Sequence, residues 1–180
     1  MLKILRTVLV FTAVLALGAI ARPAWAANPA TITVTVTIQN LSVSTSSGIA
    51  FGTVTTSSTT TAPDSSIVTN NGNVTETFSL SVTNQAPWVA VQAAPSVAEE
   101  YALLALFNTV QPVNGDFGYA NHALTTSSVA SSGTKFAGTQ TGLSVVAGAT
   151  RLLWLRFDAP TSTAVTTQQS FPVTVTASAG

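Results

Sequence analysis

The chain has 180 residues, of which only six are Lys or Arg and six are Asp or Glu, so it lacks the basic surface that nucleic-acid binding requires. It contains no Cys, which excludes disulfides and thiolate metal sites. Residues 27–180 include 28 Thr and 19 Ser, so hydroxyl groups rather than charges must cover the folded surface. Thr suits the solvent face of a β-strand, because its branched side chain favours extended backbone.

The first 26 residues have the pattern of a signal peptide. Lys3 and Arg6 give a positive start, and an apolar run of 13 residues follows from Val8 to Ile20. At 1.5 Å per residue, roughly 20 Å of helix cannot cross a hydrocarbon core of about 30 Å. We therefore interpret the run as a signal and not as a membrane anchor.

The end of this segment predicts the cleavage site. Ala24 and Ala26 supply the small residues that signal peptidase requires, so we expect cleavage between Ala26 and Ala27. The mature chain of 154 residues then keeps three basic and six acidic residues, a net charge of −3. We expect it to be exported to the periplasm, the cell surface or the extracellular medium, with no membrane span after the signal is removed.

The segment Thr31–Val43 has the clearest strand pattern in the chain. Four aliphatic residues alternate with four Thr, and period two places the aliphatic set on one face: Ile32, Val34, Val36 and Ile38. Pro, Lys and bulges usually protect an edge strand, and neither Pro nor a charge interrupts Thr31–Ile38. We predict that this strand pairs with a second copy of the chain, and the alternative is pairing within its own domain.

The rest of the chain predicts a series of short strands separated by turns. Asn70–Asn73 is a turn signal, because Asn and Gly tolerate positive φ. Glu76 falls on the inward parity of the strand that follows, and we expect its carboxylate at the rim, in water. Residues 55–61 and 109–142 are interpreted as loops. The predicted strands cover 49–54, 66–69, 74–83, 88–92, 143–146, 151–158 and 171–177.

This series predicts an all-β fold. We expect an antiparallel two-sheet β-sandwich, immunoglobulin-like or jelly-roll-like, that forms one domain over residues 27–180. A long insert is expected at about 99–142, where the pattern is less regular.

Two segments are apolar on both parities, namely 99–108 and 151–158. The first fits either a strand covered on both faces or a short helix, and we favour the strand. In a sandwich the outer face of each strand meets water, so something must cover these two strands. The insert and another subunit are both candidates for this cover.

Three stretches, 68–91, 143–160 and 171–178, resemble the immunoglobulin-like NEW3-type modules of bacterial exported proteins. The matching features are the Asn71-Gly72-Asn73 turn, Trp88, the Ala147-Gly148 turn and Pro160. The resemblance implies a sandwich fold and no catalytic residue. A weaker resemblance, in composition alone, is to Thr-rich fibre subunits of the TasA and camelysin group.

No residue pattern in the chain indicates catalysis. The chain has one His, His122, which with Asp116 would have to serve any Ser-His-acid triad, and we interpret it as a polar residue of a surface loop. Glu99 and Glu100 are adjacent, so on a strand they point to opposite faces and cannot act as a glycosidase pair. Asn114, Gly115 and Asp116 form only a weak calcium pattern. We predict no enzyme activity, no metal and no cofactor.

Four aromatic residues are the candidates for a carbohydrate-binding platform: Trp88, Tyr101, Tyr119 and Trp154. The alternative is that the two Trp fill the core. The leading hypothesis for function is a non-enzymatic, exported structural or adhesive protein that self-associates or binds cell-surface components. The alternative hypothesis is a ligand-binding module, with carbohydrate as the leading ligand class.

Overall fold

The computed structural model describes residues 30–180, so the predicted signal peptide and the cleavage site at Ala26–Ala27 lie outside the described residues. Nearly all regular structure in this range is β, arranged in two sheets, one of which curls into a half-barrel. This confirms the predicted all-β, sandwich-like fold. The strands are β1 Val43–Thr45, β2 Thr59–Thr61, β3 Ser66–Asn70, β4 Glu76–Val82, β5 Val89–Ala90, β6 Glu100–Phe107, β7 Val129–Ala130, β8 Thr150–Asp158 and β9 Val173–Ala179.

The larger sheet has the strand order β1-β3-β8-β6-β5, and β2 pairs with β8 beside β3. All its pairs are antiparallel except β5–β6, which is parallel, with Val89 opposite Glu100. This two-residue pair is the one departure from the predicted antiparallel pattern among the ladders of the described residues. Two short strands, β2 and β3, share one side of the long strand β8 because each covers only part of its length.

The smaller sheet has the order β7-β4-β9, with seven residues of β4 facing seven of β9. The inward residues of β4 are almost completely buried, whereas the inward residues of β9 are only half-buried. One core fills the space between the two sheets. Its fully buried members include Phe78, Leu80, Tyr101, Phe107 and Val145.

A second apolar cluster covers the other face of β6 and β8. It contains Leu104, Leu106 and Trp154 from the strands, together with Phe117 and Ala123 from the segment between β6 and β8. A short helix, α1 (Tyr119–His122), holds this segment against the sheet. The insert therefore covers the two-sided strands, which was one of the two predicted covers.

The same contacts redefine the insert. The sequence predicts an insert over about 99–142, but Glu100–Phe107 is the strand β6, which pairs with β8 along six residues. This also confirms the strand rather than the helix for this segment. The insert is thus confined to the connection between β6 and β8.

Several local strand and loop predictions are wrong. Residues 143–146, predicted as a strand, form only an isolated bridge between Val145 and Glu76. Residues 31–42 form no strand in the single chain, and β1 covers only Val43–Thr45. Residues 49–54 form no strand, although Ile49, Phe51 and Val54 pack against the core. Residues 59–61, predicted as loop, form β2, because the end of β8 offers them a partner.

Among residues 30–180, no helix is long and apolar enough to cross a membrane.

Candidate functional site

The segment Thr31–Ile38, called the arm below, is the most unusual feature of the described chain. Its four aliphatic side chains are 77–88% exposed, namely Ile32, Val34, Val36 and Ile38. Every Thr between them is exposed as well. No ladder partner for the arm exists among residues 30–180. The segment predicted as an assembly strand is thus an exposed apolar segment with no ladder partner in the described chain.

Local sequence explains this state. Alternating β-branched residues favour extended backbone, but a strand forms only where a second strand satisfies its N–H and C=O groups. Four large aliphatic side chains in water are unfavourable, because each would gain roughly 1.5–3 kcal/mol on full burial. The arm therefore has the properties of a strand that lacks its neighbour.

The root of the arm, Ile38–Ser42, is fixed to the β3–β4 turn. The Asn73 side chain accepts a hydrogen bond from the Asn40 N–H at 2.8 Å and donates one to the Ile38 carbonyl at 2.7 Å. The Asn73 backbone N–H donates to the Asn40 carbonyl at 3.1 Å. These three bonds determine where the chain leaves the sandwich.

Glu76 fixes the root at a second point, Ser42. Its Oε1 accepts the Ser42 N–H at 2.7 Å, and the residue is completely buried. The prediction that Glu76 lies at the rim in water is wrong, because the root covers it. Its Oε2 has no hydrogen-bond partner among the described residues. Gly72 is required beside it, because a Cβ there would overlap Glu76 Oε1 and the Asn40 carbonyl.

The sequence predicts that the single His lies in a surface loop, and this prediction is wrong. His122 is 8% exposed, and its Nδ1 accepts the Gly118 N–H at 2.8 Å. Burial lowers the pKa of His122, and the hydrogen bond to the Ala137 backbone opposes this change. The ring packs edge-on against Phe117. Asp116 instead accepts the Val113 N–H of its own turn at 2.9 Å.

The two adjacent glutamates have separate structural partners. Glu99 accepts hydrogen bonds from the Thr163 hydroxyl and the Ala164 N–H, and the Ala164 bond is the main reason that the pKa of Glu99 is lowered. Glu100 accepts from the backbone and the hydroxyl of Ser96. Each carboxylate holds a different loop. Glu99 lies in the turn before β6, with φ 62°, so the prediction that the two residues share a strand is wrong.

The weak calcium pattern is also used in local contacts. Asn114 accepts a hydrogen bond from the Thr61 hydroxyl at 2.6 Å through its side chain. Within residues 30–180, no group of three His, Cys, Asp or Glu side chains is close enough to hold a metal ion.

The four candidate platform aromatics do not form one surface. Trp88 stacks on Phe157 at 6.0 Å and on Phe171 at 5.7 Å, next to the fully buried Tyr101. Trp154 is buried on the opposite face of the sheet and donates its indole N–H to the Asn108 carbonyl. Tyr119 bonds to Asp158.

Sequence reasoning missed a buried ion pair. Arg156 and Asp158 are 7% and 3% exposed, with 2.7 Å between guanidinium and carboxylate. Arg156 also donates to the carbonyls of Asn114 and Phe117, and Tyr119 donates to Asp158 at 2.7 Å. The signal was in the sequence, since two opposite charges spaced by two share one face of a strand. Their bonds to the insert show a structural role.

Comparisons of the chain with protein-family models, with curated proteins and with solved structures give no match. The fold and the site define the class as a two-sheet all-β domain with an exposed N-terminal arm.

Proposed function

We propose that this protein is a non-enzymatic, exported structural or adhesive subunit that self-associates by donating its arm as a β-strand to another copy. One observation carries the proposal: the four aliphatic side chains of the arm are 77–88% exposed, and their alternation would place them on one face of a strand. Apolar area of this kind usually marks an interaction surface.

The energetics support association. Burying all four aliphatic side chains would contribute roughly 6–12 kcal/mol before the loss of chain and translational entropy. Pairing would also satisfy the arm's backbone groups with main-chain hydrogen bonds, as in known cases of strand addition. The fixed root also favours association, because less of the segment loses conformational entropy on binding.

The absence of enzyme activity is part of the proposal. Two backbone groups form hydrogen bonds with the His122 ring, and Glu99 and Glu100 hold separate loops. These contacts leave each group in a structural role. We expect a broad screen for hydrolytic activity to find none that disappears in the His122→Ala variant.

The test compares lysine substitutions on the two faces of the arm. Val34→Lys and Val36→Lys put a charge on the aliphatic face, whereas Thr35→Lys puts the same charge between them on the hydroxyl face. The mature protein and the three variants are measured by light scattering across concentration, with unfolding curves for each.

We expect Val34→Lys and Val36→Lys to abolish assembly while the subunit keeps its stability, since the arm is exposed in the single chain. Thr35→Lys should assemble. Assembly that survives both aliphatic-face substitutions contradicts the proposal, and so does a mature protein that stays monomeric at every concentration. Loss of subunit folding in either Val variant would show instead that the arm belongs to the core.

A further inference from the structure

Strand β9 of the smaller sheet has one side without a ladder partner among the described residues. This strand pairs with β4 on one side, and no strand of the described chain pairs with the other. It is seven residues long, whereas the other strand at an end of the same sheet, β7, has two. The free side of β9 matches the eight-residue arm in length.

The backbone of β9 is oriented for a further strand. At the two ends of the β4–β9 ladder, the Thr83 N–H donates to the Pro172 carbonyl and the Gly180 N–H donates to the Thr75 carbonyl. Odd-numbered residues of β4 therefore face β9, and the N–H groups of Glu76 and Phe78 donate to the opposite side. By the alternation of an antiparallel ladder, four residues of β9 direct their N–H and C=O groups outward: Val173, Val175, Ala177 and Ala179.

The core is also incompletely covered along this strand. Phe78, Leu80 and Val82 of β4 are 0–2% exposed, but the residues opposite them in β9 are only half-buried. On the larger sheet, Val43, Ile49 and Phe51 are half-buried against the same core. The Phe51 ring lies 5.6 Å from Phe157, which lies 6.1 Å from Phe171, two residues before β9. The core is thus partly exposed to solvent along β9.

We infer that the free side of β9 is the acceptor for the arm of a second copy, which adds as an antiparallel strand and completes both the ladder and the core. The inference rests on the proposed function and names its acceptor. Neither partner segment contains a charged residue, so no charge is buried. The alternation of aliphatic and Thr residues in the arm restricts its register on β9, because a shift of one residue would turn the aliphatic face to water.

One register matches every arm residue from Ile32 to Ile38 in kind. With Val36 opposite Val175, the aliphatic residues of the arm face apolar residues of β9 throughout, and each Thr from 33 to 37 faces a hydroxyl residue. Thr37 then lies opposite Thr174, and Thr33 lies opposite Ser178. These are non-hydrogen-bonded pairs, with Cα atoms about 4.5 Å apart, within the range that a disulfide spans.

The chain contains no Cys, so single cysteines report pairing without background from native thiols. Two donor variants, Thr33→Cys and Thr37→Cys, are each mixed with two acceptor variants, Thr174→Cys and Ser178→Cys. After oxidation during assembly, cross-linked peptides are identified by mass spectrometry. Thr150→Cys, at another exposed position, is the control acceptor.

The antiparallel register predicts disulfide cross-links between positions 37 and 174 and between positions 33 and 178. It predicts no cross-link to position 150. Parallel addition would give the converse, 33 with 174 and 37 with 178, and would overturn the inferred geometry. All substituted side chains on β9 are exposed, so these variants should keep the fold.

A second test blocks the ladder. Ala177→Pro removes an N–H that faces the free side, where a strand tolerates Pro, and Thr176→Ala is the matched control that leaves the outward backbone intact. We expect Ala177→Pro to stay folded and to lose assembly, and Thr176→Ala to assemble. If wild type assembles through its arm but no predicted link forms and Ala177→Pro still assembles, the acceptor is wrong while the proposed function stands. If wild type never assembles, both are wrong.

Discussion

Arg156 and Asp158 form a buried pair whose partners all come from one segment of the insert, residues 114–119. Their 2.7 Å contact sits beneath the rings of Phe117 and Tyr119, with the Arg156 guanidinium carbon 5.7 and 5.2 Å from the ring centres. Two carbonyls and the Tyr119 hydroxyl complete the bonding. The pair thus fastens the insert to β8.

Removal of one partner should leave the other charge buried without compensation. We predict that Asp158→Asn lowers the free energy of unfolding by about 3–5 kcal/mol, measured by urea denaturation. Asp64→Asn changes an exposed residue of the same type and should have little effect. A small effect at position 158 would contradict the role assigned to the pair.

His122 predicts a pH dependence in a mildly acidic range. Burial, together with the charges of Lys135 and Arg156, holds the pKa of His122 below its usual value of 6.5. Between those two pKa values the unfolded chain binds a proton that the folded chain does not, so stability falls as pH decreases below about 6.5. Urea denaturation at pH 7.5 and 5.5 should show this loss, and His122→Gln should reduce it. An equal loss in the variant would assign the effect to other groups.

A substitution at Gly72 tests how much the root of the arm contributes to stability and assembly. Gly72→Ala places a methyl group against the Asn40 carbonyl and Glu76, so we expect a loss of about 1–3 kcal/mol and weaker assembly. Gly48→Ala is the control, because nothing lies within 4 Å of a Cβ there. Unfolding curves and light scattering measure the two effects. Equal behaviour of both variants would show that the close approach at Gly72 is not limiting.

At the level of elements, the arm differs from every assigned strand in having no partner. We predict that thermolysin, which cuts before large aliphatic residues, removes the arm from the isolated subunit and leaves the sandwich intact, because Ile32, Val34 and Val36 are exposed. Assembled protein should resist this cleavage. Mass spectrometry of the digest identifies the cut, and a protected arm in monomeric protein would contradict the exposure described above.

Alternation predicted side-chain faces well and pairing poorly. In β4, β8 and β9 the inward and outward residues follow the sequence, and the two-sided pattern of β6 and β8 predicted a second layer. The arm has an equally regular pattern but no partner, since period two reports which face is apolar and not where a neighbour lies. The all-Thr strand β2 has no alternation, so only its position beside β8 makes it a strand.

The candidate site was predictable in part for the same reason. The composition of Ile32, Val34, Val36 and Ile38 indicated an assembly strand, and the structure adds that these side chains are exposed. The fixing of its root by Asn73 and Glu76 depends on contacts more than 30 residues apart in sequence, which no local pattern encodes. The parallel β5–β6 pair is non-local in the same sense.

On the scale of the whole molecule, the low charge predicts how assembly depends on solution conditions. The arm and β9 contain no charged residue, so their association should depend on apolar burial and backbone hydrogen bonds. We expect the extent of assembly, measured by light scattering, to change little from low to moderate ionic strength, where screening would weaken an electrostatic contact. A steep loss of assembly with added sodium chloride would point to a different interface.

The difference between the donor surface and the acceptor surface determines the form of the proposed assembly. In the proposed assembly each subunit carries one donor segment and one acceptor strand, which are different surfaces. Two copies that exchange arms reciprocally form a closed two-fold dimer, whereas donation in one direction is heterologous and leaves an open donor and an open acceptor. Repetition of the contact yields either a ring or a chain with polarity. In a chain, one terminal subunit keeps a vacant β9 and the other keeps a free arm, so growth has a direction, and a short peptide with the sequence of residues 31–38 would act as a chain terminator.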